Sequence, residues 1–292
     1  VKADAIEYDE RLVKAQRVVG SVVFEHEGTS MLCDSAWLYE EDNRLKAFGK
    51  IRITDPKGMS LTGDELDYDG NERLAEIRKN VLLKDGDMTL TTDMVQYKLE
   101  ERVASYFGGG RIISLANKNI LTSKSGFYFA SEKVFHFKKD VELKNPRYTM
   151  FTDTLHYHSF NEQAYLLGPT TIISDQNKIY CENGWYDTKS DRARFGENAK
   201  IWTAEQILSS DSLYYDRTKG LGEAFRNVLI EDTINKIQIR GDYGRYLEFK
   251  DESYVAGRAL MEQFFLKDTL TMHADTLRML PDSLDKRRIL AY

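Results

Sequence analysis

Leu61-Thr62-Gly63-Asp64-Glu65-Leu66-Asp67-Tyr68-Asp69-Gly70-Asn71-Glu72-Arg73-Leu74-Ala75-Glu76-Ile77-Arg78-Lys79-Asn80-Val81-Leu82-Leu83-Lys84-Asp85-Gly86-Asp87 is the stretch that decides the fold. Leu66 and Tyr68 alternate with Glu65, Asp67 and Asp69, the period of two of a half-buried strand. Gly70-Asn71-Glu72-Arg73 reads as a turn, because Gly and Asn tolerate the backbone angles that turns demand. Ala75, Ile77, Val81 and Leu83 then share one parity, with Glu76, Arg78 and Lys84 on the other. Lys84-Asp85-Gly86-Asp87 is a second turn, and Leu90 starts the next cycle. The stretch predicts strand, turn and strand, with little helix.

Working outward, the same pattern recurs along the chain. An Asp followed four residues later by a Tyr occurs as Asp4/Tyr8, Asp64/Tyr68, Asp93/Tyr97, Asp153/Tyr157, Asp211/Tyr215 and Asp242/Tyr246. Softer copies are Asp34/Leu38, Lys124/Tyr128, Glu182/Tyr186 and Asp275/Met279. The steps between them run from 29 to 33 residues. A period in this range marks a repeat architecture. The spacing predicts one continuous repeat domain over residues 1–292, with repeats starting near 4, 34, 64, 93, 124, 153, 182, 211, 242 and 275. The tenth repeat stops at Tyr292 before its second half, so the natural protein is expected to continue.

A second column lies 15 or 16 residues after each acidic position: Gly20, Gly49, Asn80, Gly109, Asp140, Gly168, Asn198, Asn227 and Gly257. Gly, Asn and Asp most readily adopt positive φ or fit a bulge. An apolar residue follows in each repeat, among them Ile51, Val81, Ile112, Val141, Ile172 and Val228. The pattern predicts strands bent at one height in every repeat, a folded-over sheet with an aliphatic inside.

At 292 residues, a net charge of −6 and 30% charged residues, the composition argues against a general affinity for nucleic acid. Basic clusters such as Lys138-Lys139 and Lys286-Arg287-Arg288 read as solvated strand ends. No apolar run approaches the ~20 residues of a membrane helix. Val1-Lys2 leads directly into the first repeat, so any export signal is expected to have been removed. Cys33 and Cys181 are five repeats apart, roughly 24 Å at ~4.8 Å per strand layer, too far for a disulfide.

Candidate chemistry is sparse. His156 and His158, near Asp153, have the spacing of a strand-borne metal pair, but no third and fourth ligand recur beside them; His26, His136 and His273 are scattered. An acid repeated at every turn is a structural device, expected to accept backbone N–H bonds at a strand entry or bend, and catalysis instead needs a distinct pair in distinct environments. Gly108-Gly109-Gly110 lacks the helix and Lys-Ser/Thr of a phosphate loop. The tyrosine column reads as a packed aromatic ladder with hydroxyls at its rim. Neither a cofactor nor a metal is implied, and no catalytic residue stands out.

The acidic-x-Leu-x-Tyr opening of Gly63-Asp64-Glu65-Leu66-Asp67-Tyr68-Asp69 and Ser210-Asp211-Ser212-Leu213-Tyr214-Tyr215-Asp216 resembles the OstA-like (LptA) family, as do Ala47-Phe48-Gly49-Lys50-Ile51-Arg52-Ile53 and Gly20-Ser21-Val22-Val23-Phe24. The resemblance covers essentially the whole chain, with more repeats than the short LptA pattern. It implies a bent, incompletely closed β-jellyroll stack and a non-enzymatic periplasmic protein that shields the acyl chains of lipopolysaccharide or lipid A on the way to the outer membrane. The groove would be lined by Ile51, Ile53, Val81, Leu83, Ile112, Val141, Leu143, Ile172, Val228 and Ile230. A closed, dry core of the same residues is the other reading of that inside. Implied partners are OstA/Lpt-type membrane proteins at either end, with head-to-tail self-association between unpaired strand edges. The alternative function is a structural β-solenoid scaffold that binds protein partners through those edges.

Overall fold

The computed structural model describes residues 1–9, 15–26, 28–114, 118–175, 177–281 and 287–292, with the side chains of Tyr8, Asp9, His26 and Arg287 excepted. Lys286, and the side chains of Tyr8, His26 and Arg287 noted above, therefore lie outside the described residues. The chain divides into two compact units, Val1–Pro146 and Arg147–Tyr292.

The first unit holds β1 (Ala5–Asp9), β2 (Ala15–His26), β3 (Thr29–Tyr39), β4 (Arg44–Thr54), β5 (Ser60–Asp69), β6 (Leu74–Asp85), β7 (Met88–Lys98), β8 (Val103–Ser114), β9 (Asn119–Phe129) and β10 (Val134–Asn145). The second holds β11 (Tyr148–His158), β12 (Gln163–Ser174), β13 (Lys178–Asp187), β14 (Arg192–Trp202), β15 (Gln206–Asp216), β16 (Leu221–Asp232), β17 (Ile237–Leu247), β18 (Glu252–Phe264), β19 (Thr269–Pro281) and β20 (Arg287–Ala291). Within each unit every strand pairs antiparallel with the next, so each is a meander and the protein is all-β. The helical content among the described residues is two short 3₁₀ turns, Arg217–Lys219 and Glu248–Lys250.

Each repeat supplies two strands. From β2 to β19, odd-numbered strands carry the acidic-column position and even-numbered strands carry the Gly/Asn/Asp column. At that column the even strand holds one residue more than its partner: Phe48 faces Glu65 and Ile51 faces Gly63, leaving Gly49 and Lys50 opposite Asp64 alone. The extra residue is accommodated by left-handed backbone, as at Gly49 (φ 77°) and Lys50 (46°), Lys79 (62°) and Asn80 (52°), or Arg226 (61°) and Asn227 (50°). Such a bulge bends its strand and unpairs the ladder locally.

The bend folds each sheet over on itself. In a straight strand, positions four apart lie about 13 Å from one another. Yet the Tyr106 ring packs on the Cα of Gly110, within the same strand, and on Gly126 of the next. A side chain at Gly63 would likewise strike Ile77 from beyond the bend. Each unit thus has two legs that face across an apolar interior. In the first unit that interior joins Val22, Ile51 and Val81 of one leg to Val18, Ala36, Ala47, Ile77 and Val95 of the other.

Candidate functional site

The antiparallel register aligns the interior residues of one leg into rows. The deep row beside the bend includes Val22, Cys33, Ile51 and Val81 in the first unit and Thr170, Cys181, Ala199 and Val228 in the second. Two residues farther out lies an unbroken apolar row. In the first unit it runs Phe24, Met31, Ile53, Leu61, Leu83, Leu90, Ile112, Leu121 and Leu143, each paired directly with the next. In the second it runs Met150, Ile172, Ile179, Ile201, Leu208, Ile230, Ile239, Met261 and Met272. Beyond this outer row the register turns polar, with pairs such as Gln206 with Asp232.

The ten residues expected to line a groove divide between these rows. Ile51, Val81, Val141 and Val228 are beside the bend and almost wholly covered by protein atoms. Ile53, Leu83, Leu143, Ile172 and Ile230 stand in the outer row and are half-buried; Ile112 shares that row but is buried. The sequence reading counted only the residues that follow the bend. It missed their odd-strand partners. Met31, Leu61, Leu90, Leu121, Met150, Ile179, Leu208, Ile239 and Met272 all precede an acidic-column position by three residues. That third column was legible in the same repeat.

The facing leg supplies an aromatic row. It runs Tyr68, Ala75, Tyr97, Ala104, Tyr128 in the first unit, and Tyr157, Ala164, Tyr186, Ala193, Tyr215, Gly222, Tyr246, Ser253 in the second. Tyrosines fall on alternate strands, with a small residue between, so each ring has room to lie over its neighbour. The hydroxyls do not simply reach solvent. Tyr186 donates to Asp191, and Tyr215 donates to Glu248 at 2.7 Å. Burial, then the Glu248 carboxylate, pushes the Tyr215 phenol up to about 12.

Tyr106 is a polar-tipped ring within the apolar interior. It is 3% exposed, its ring fills the space left by Gly110 and Gly126, and its hydroxyl lies 2.6 Å from Ser123 Oγ. The triple glycine therefore serves the bend: Gly108 and Gly109 take φ of 92° and 118°, and Gly110 receives the ring.

The acidic column sits over the bends. Asn80 donates to Asp64 at 2.6 Å, Asn198 to Glu182 at 2.8 Å and Asn227 to Asp211 at 2.9 Å. At Gly20, Gly49 and Gly257 the carboxylate takes the vacated space: a Cβ on Gly49 would lie 2.5 Å from Asp34 Oδ2, whereas a Cβ on Gly109 would meet nothing within 4 Å. The partners found are thus side-chain amides, bare glycines and, at Asp153, the Thr154 hydroxyl at 3.0 Å, where backbone N–H groups were expected. Cations reinforce them, Arg258 on Asp242 at 2.9 Å and Arg226 on Asp211 at 3.3 Å.

Among the described residues no group of three or more His, Cys, Asp or Glu side chains could hold a metal ion. His158 packs on Tyr165, and His136 packs on Phe129. Cys33 and Cys181 are buried free thiols, with burial raising them to about 11 and about 12. A cavity of about 460 Å³ opens at the β6 bend, between Arg78, Lys79, Asn80, Asp93 and Met94, outside the aliphatic rows. No helix among the described residues is long and apolar enough to cross a membrane.

A family model described as OstA-like protein matches residues 1–153 and 148–211, more than half of the chain. No curated protein matches. One solved structure with a likeness is described as LptH, the LptA homologous periplasmic component of the conserved lipopolysaccharide transport device from Pseudomonas aeruginosa. It is 18% identical, over 48% of this chain and 82% of that one, with a TM-score of 0.23. A likeness that low says nothing of what this chain binds.

Proposed function

The chain belongs to the OstA-like protein family, and from that premise we propose that it is a non-enzymatic periplasmic carrier that shields the acyl chains of lipopolysaccharide or lipid A. The observation that carries this reading is the unbroken outer row. Nine consecutive strands in each unit place an aliphatic or aromatic side chain at one height, and about half of them keep part of their surface uncovered. That is a continuous apolar strip with no polar interruption. Ile53, Leu83, Leu143, Ile172 and Ile230, with the part-exposed odd-strand residues Leu90, Ile179 and Leu208, touch the lipid. Ile112 stands in the same row, and Ile51, Val81, Val141 and Val228 form the floor beneath it.

The driving force is apolar burial. Each CH₂ removed from water contributes roughly 0.8 kcal/mol, so an acyl chain of about a dozen carbons gains on the order of 10 kcal/mol before ordering costs. No general acid, base or nucleophile is required. The repeat register keeps its step through residues 1–292, which supports reading them as one repeat domain. Its partners at either end are Lpt-type membrane proteins.

Photo-crosslinking tests this. A photoreactive residue at Ile53, Leu83 or Ile230 should label with lipopolysaccharide, and one at the outward-facing Glu76 should not. Equal labelling at Glu76 and the outer row, or none at the outer row, would sink the carrier reading.

A further inference from the structure

The opposite surface of the aromatic leg carries its own row, and most of it is satisfied from within. In the first unit Arg17 pairs with Glu7 at 3.4 Å and lies over the Trp37 ring, Lys46 pairs with Asp67 at 3.5 Å, and Gln96 donates to Glu76 at 2.7 Å. In the second unit Tyr243 donates to Glu223, Arg245 to Tyr254 at 3.3 Å, and Arg278 to Glu252 at 2.7 Å.

Three consecutive strands break the pattern. Trp185 on β13 pairs in register with Arg194 on β14, and Arg194 with Tyr214 on β15. None of the three side chains makes a hydrogen bond, ion pair or ring contact among the described residues. Arg194 is exposed, and the two rings are half-buried. The nearby acids are engaged elsewhere. Asp187 accepts the amides of Lys189 (3.0 Å) and Ser190 (2.8 Å), and Asp216 accepts the Lys219 amide (3.2 Å) and the Thr218 hydroxyl (2.7 Å).

We propose that Trp185, Arg194 and Tyr214 form a binding surface for an acidic saccharide. Strand spacing sets the Cα atoms of Trp185 and Tyr214 roughly 10 Å apart with that of Arg194 between them. Aromatic faces with a polar edge suit the alternating C–H and hydroxyl surfaces of sugar rings. The planar guanidinium offers a two-pronged donor for a phosphate or carboxylate substituent. An exposed guanidinium without an acid, on a row where Arg17, Lys46 and Arg278 each have one, takes its counter-charge from the ligand. A nucleic acid would stack on the same rings, but affinity for a polyphosphate backbone needs several cations, and the chain carries a net charge of −6. The surface lies on the face opposite the aliphatic rows, so it stands or falls separately from the carrier reading.

Isothermal titration of the full chain tests it with four probes: a phosphorylated oligosaccharide, a uronate oligosaccharide, a neutral oligosaccharide of the same length, and oligo-dT. At least one acidic saccharide should bind, more weakly as salt screens the contact; the tighter of the two identifies the substituent. Arg194→Gln should weaken acidic binding at least tenfold and level it with the neutral probe. Trp185→Ala should remove both, and Trp185→Phe should retain most of the affinity. Arg278→Gln, which loses a cation already paired with Glu252, should change nothing. The proposal is overturned if neither acidic saccharide binds, if Arg194→Gln binds as the unaltered chain does, or if oligo-dT binds as tightly.

Discussion

Asn80 donates its side-chain amide to Asp64 at 2.6 Å, joining the bend of β6 to the acidic position of β5. The acidic column and the Gly/Asn/Asp column are therefore two halves of one device. The even strand needs left-handed backbone to take its extra residue, and in repeats such as the second and third the odd strand supplies a carboxylate that sits over a bare Cα or an amide. In the fifth repeat both halves change together, with Lys124 in the acidic column and Asp140 in the bend column.

Substitutions at the bend should follow that logic. Asn80→Gly should cost at most a few tenths of a kcal/mol, because glycine takes the left-handed region freely and the lost bond is exposed. Asn80→Val should cost about 2 kcal/mol from backbone strain alone. Gly49→Val should cost more, since the branched side chain also meets the Asp34 carboxylate. Urea midpoints of the three variants should rank in that order.

Tyr106 gives a second test. Tyr106→Ala removes a buried ring and should cost about 3–5 kcal/mol. Tyr106→Phe removes only the hydroxyl, leaving Ser123 its bond to the Ser125 carbonyl at 3.0 Å, and should cost about 1 kcal/mol. Thermal unfolding of both variants separates packing from hydrogen bonding.

The thiols make a pH prediction. Burial holds Cys33 near 11 and Cys181 near 12, against an ordinary value of 9.0. Both groups favour the folded state while protonated, so their contribution is complete below pH 9 and is lost as pH rises through 11 and 12. At pH 8 the folded protein should react with a chromogenic thiol reagent far more slowly than the protein in guanidinium. Rapid modification of either thiol in the folded state would contradict the burial described.

The turn carboxylates work in the opposite sense. Amides of Ser190 and Lys189 hold Asp187 below its ordinary value of 3.8. Its contribution is present above pH 3.8 and is lost as pH falls through the lower folded value. Asp187→Asn should therefore narrow the stability gap between pH 6 and pH 3, measured by urea unfolding at each pH.

Much of this was legible in one repeat. The alternation around Leu66 and Tyr68 gave the strands, and Asn80 and Gly49 marked the bends. The outer row was only half visible, because a list built from residues after the bend, such as Ile53 and Leu83, leaves out Met31 and Leu61 three places before an acid. The Trp185–Arg194–Tyr214 row was not legible at all. It joins three strands through register, and its members share no column with other repeats. The role of Tyr106 was equally hidden, since only the folded-over strand brings Gly110 and Gly126 to its ring.

The one-residue surplus of the even strands from β2 to β18 has a consequence for how such a chain can change length. Adding or removing a whole period restores each carboxylate to its bend and leaves the meander intact. A half-period insertion would put an acid-bearing strand where a bulged one belongs, with no bend to match its neighbours. Growth by duplication is thus quantised at about thirty residues, and repeats can be added or removed in whole steps without redesigning the interior.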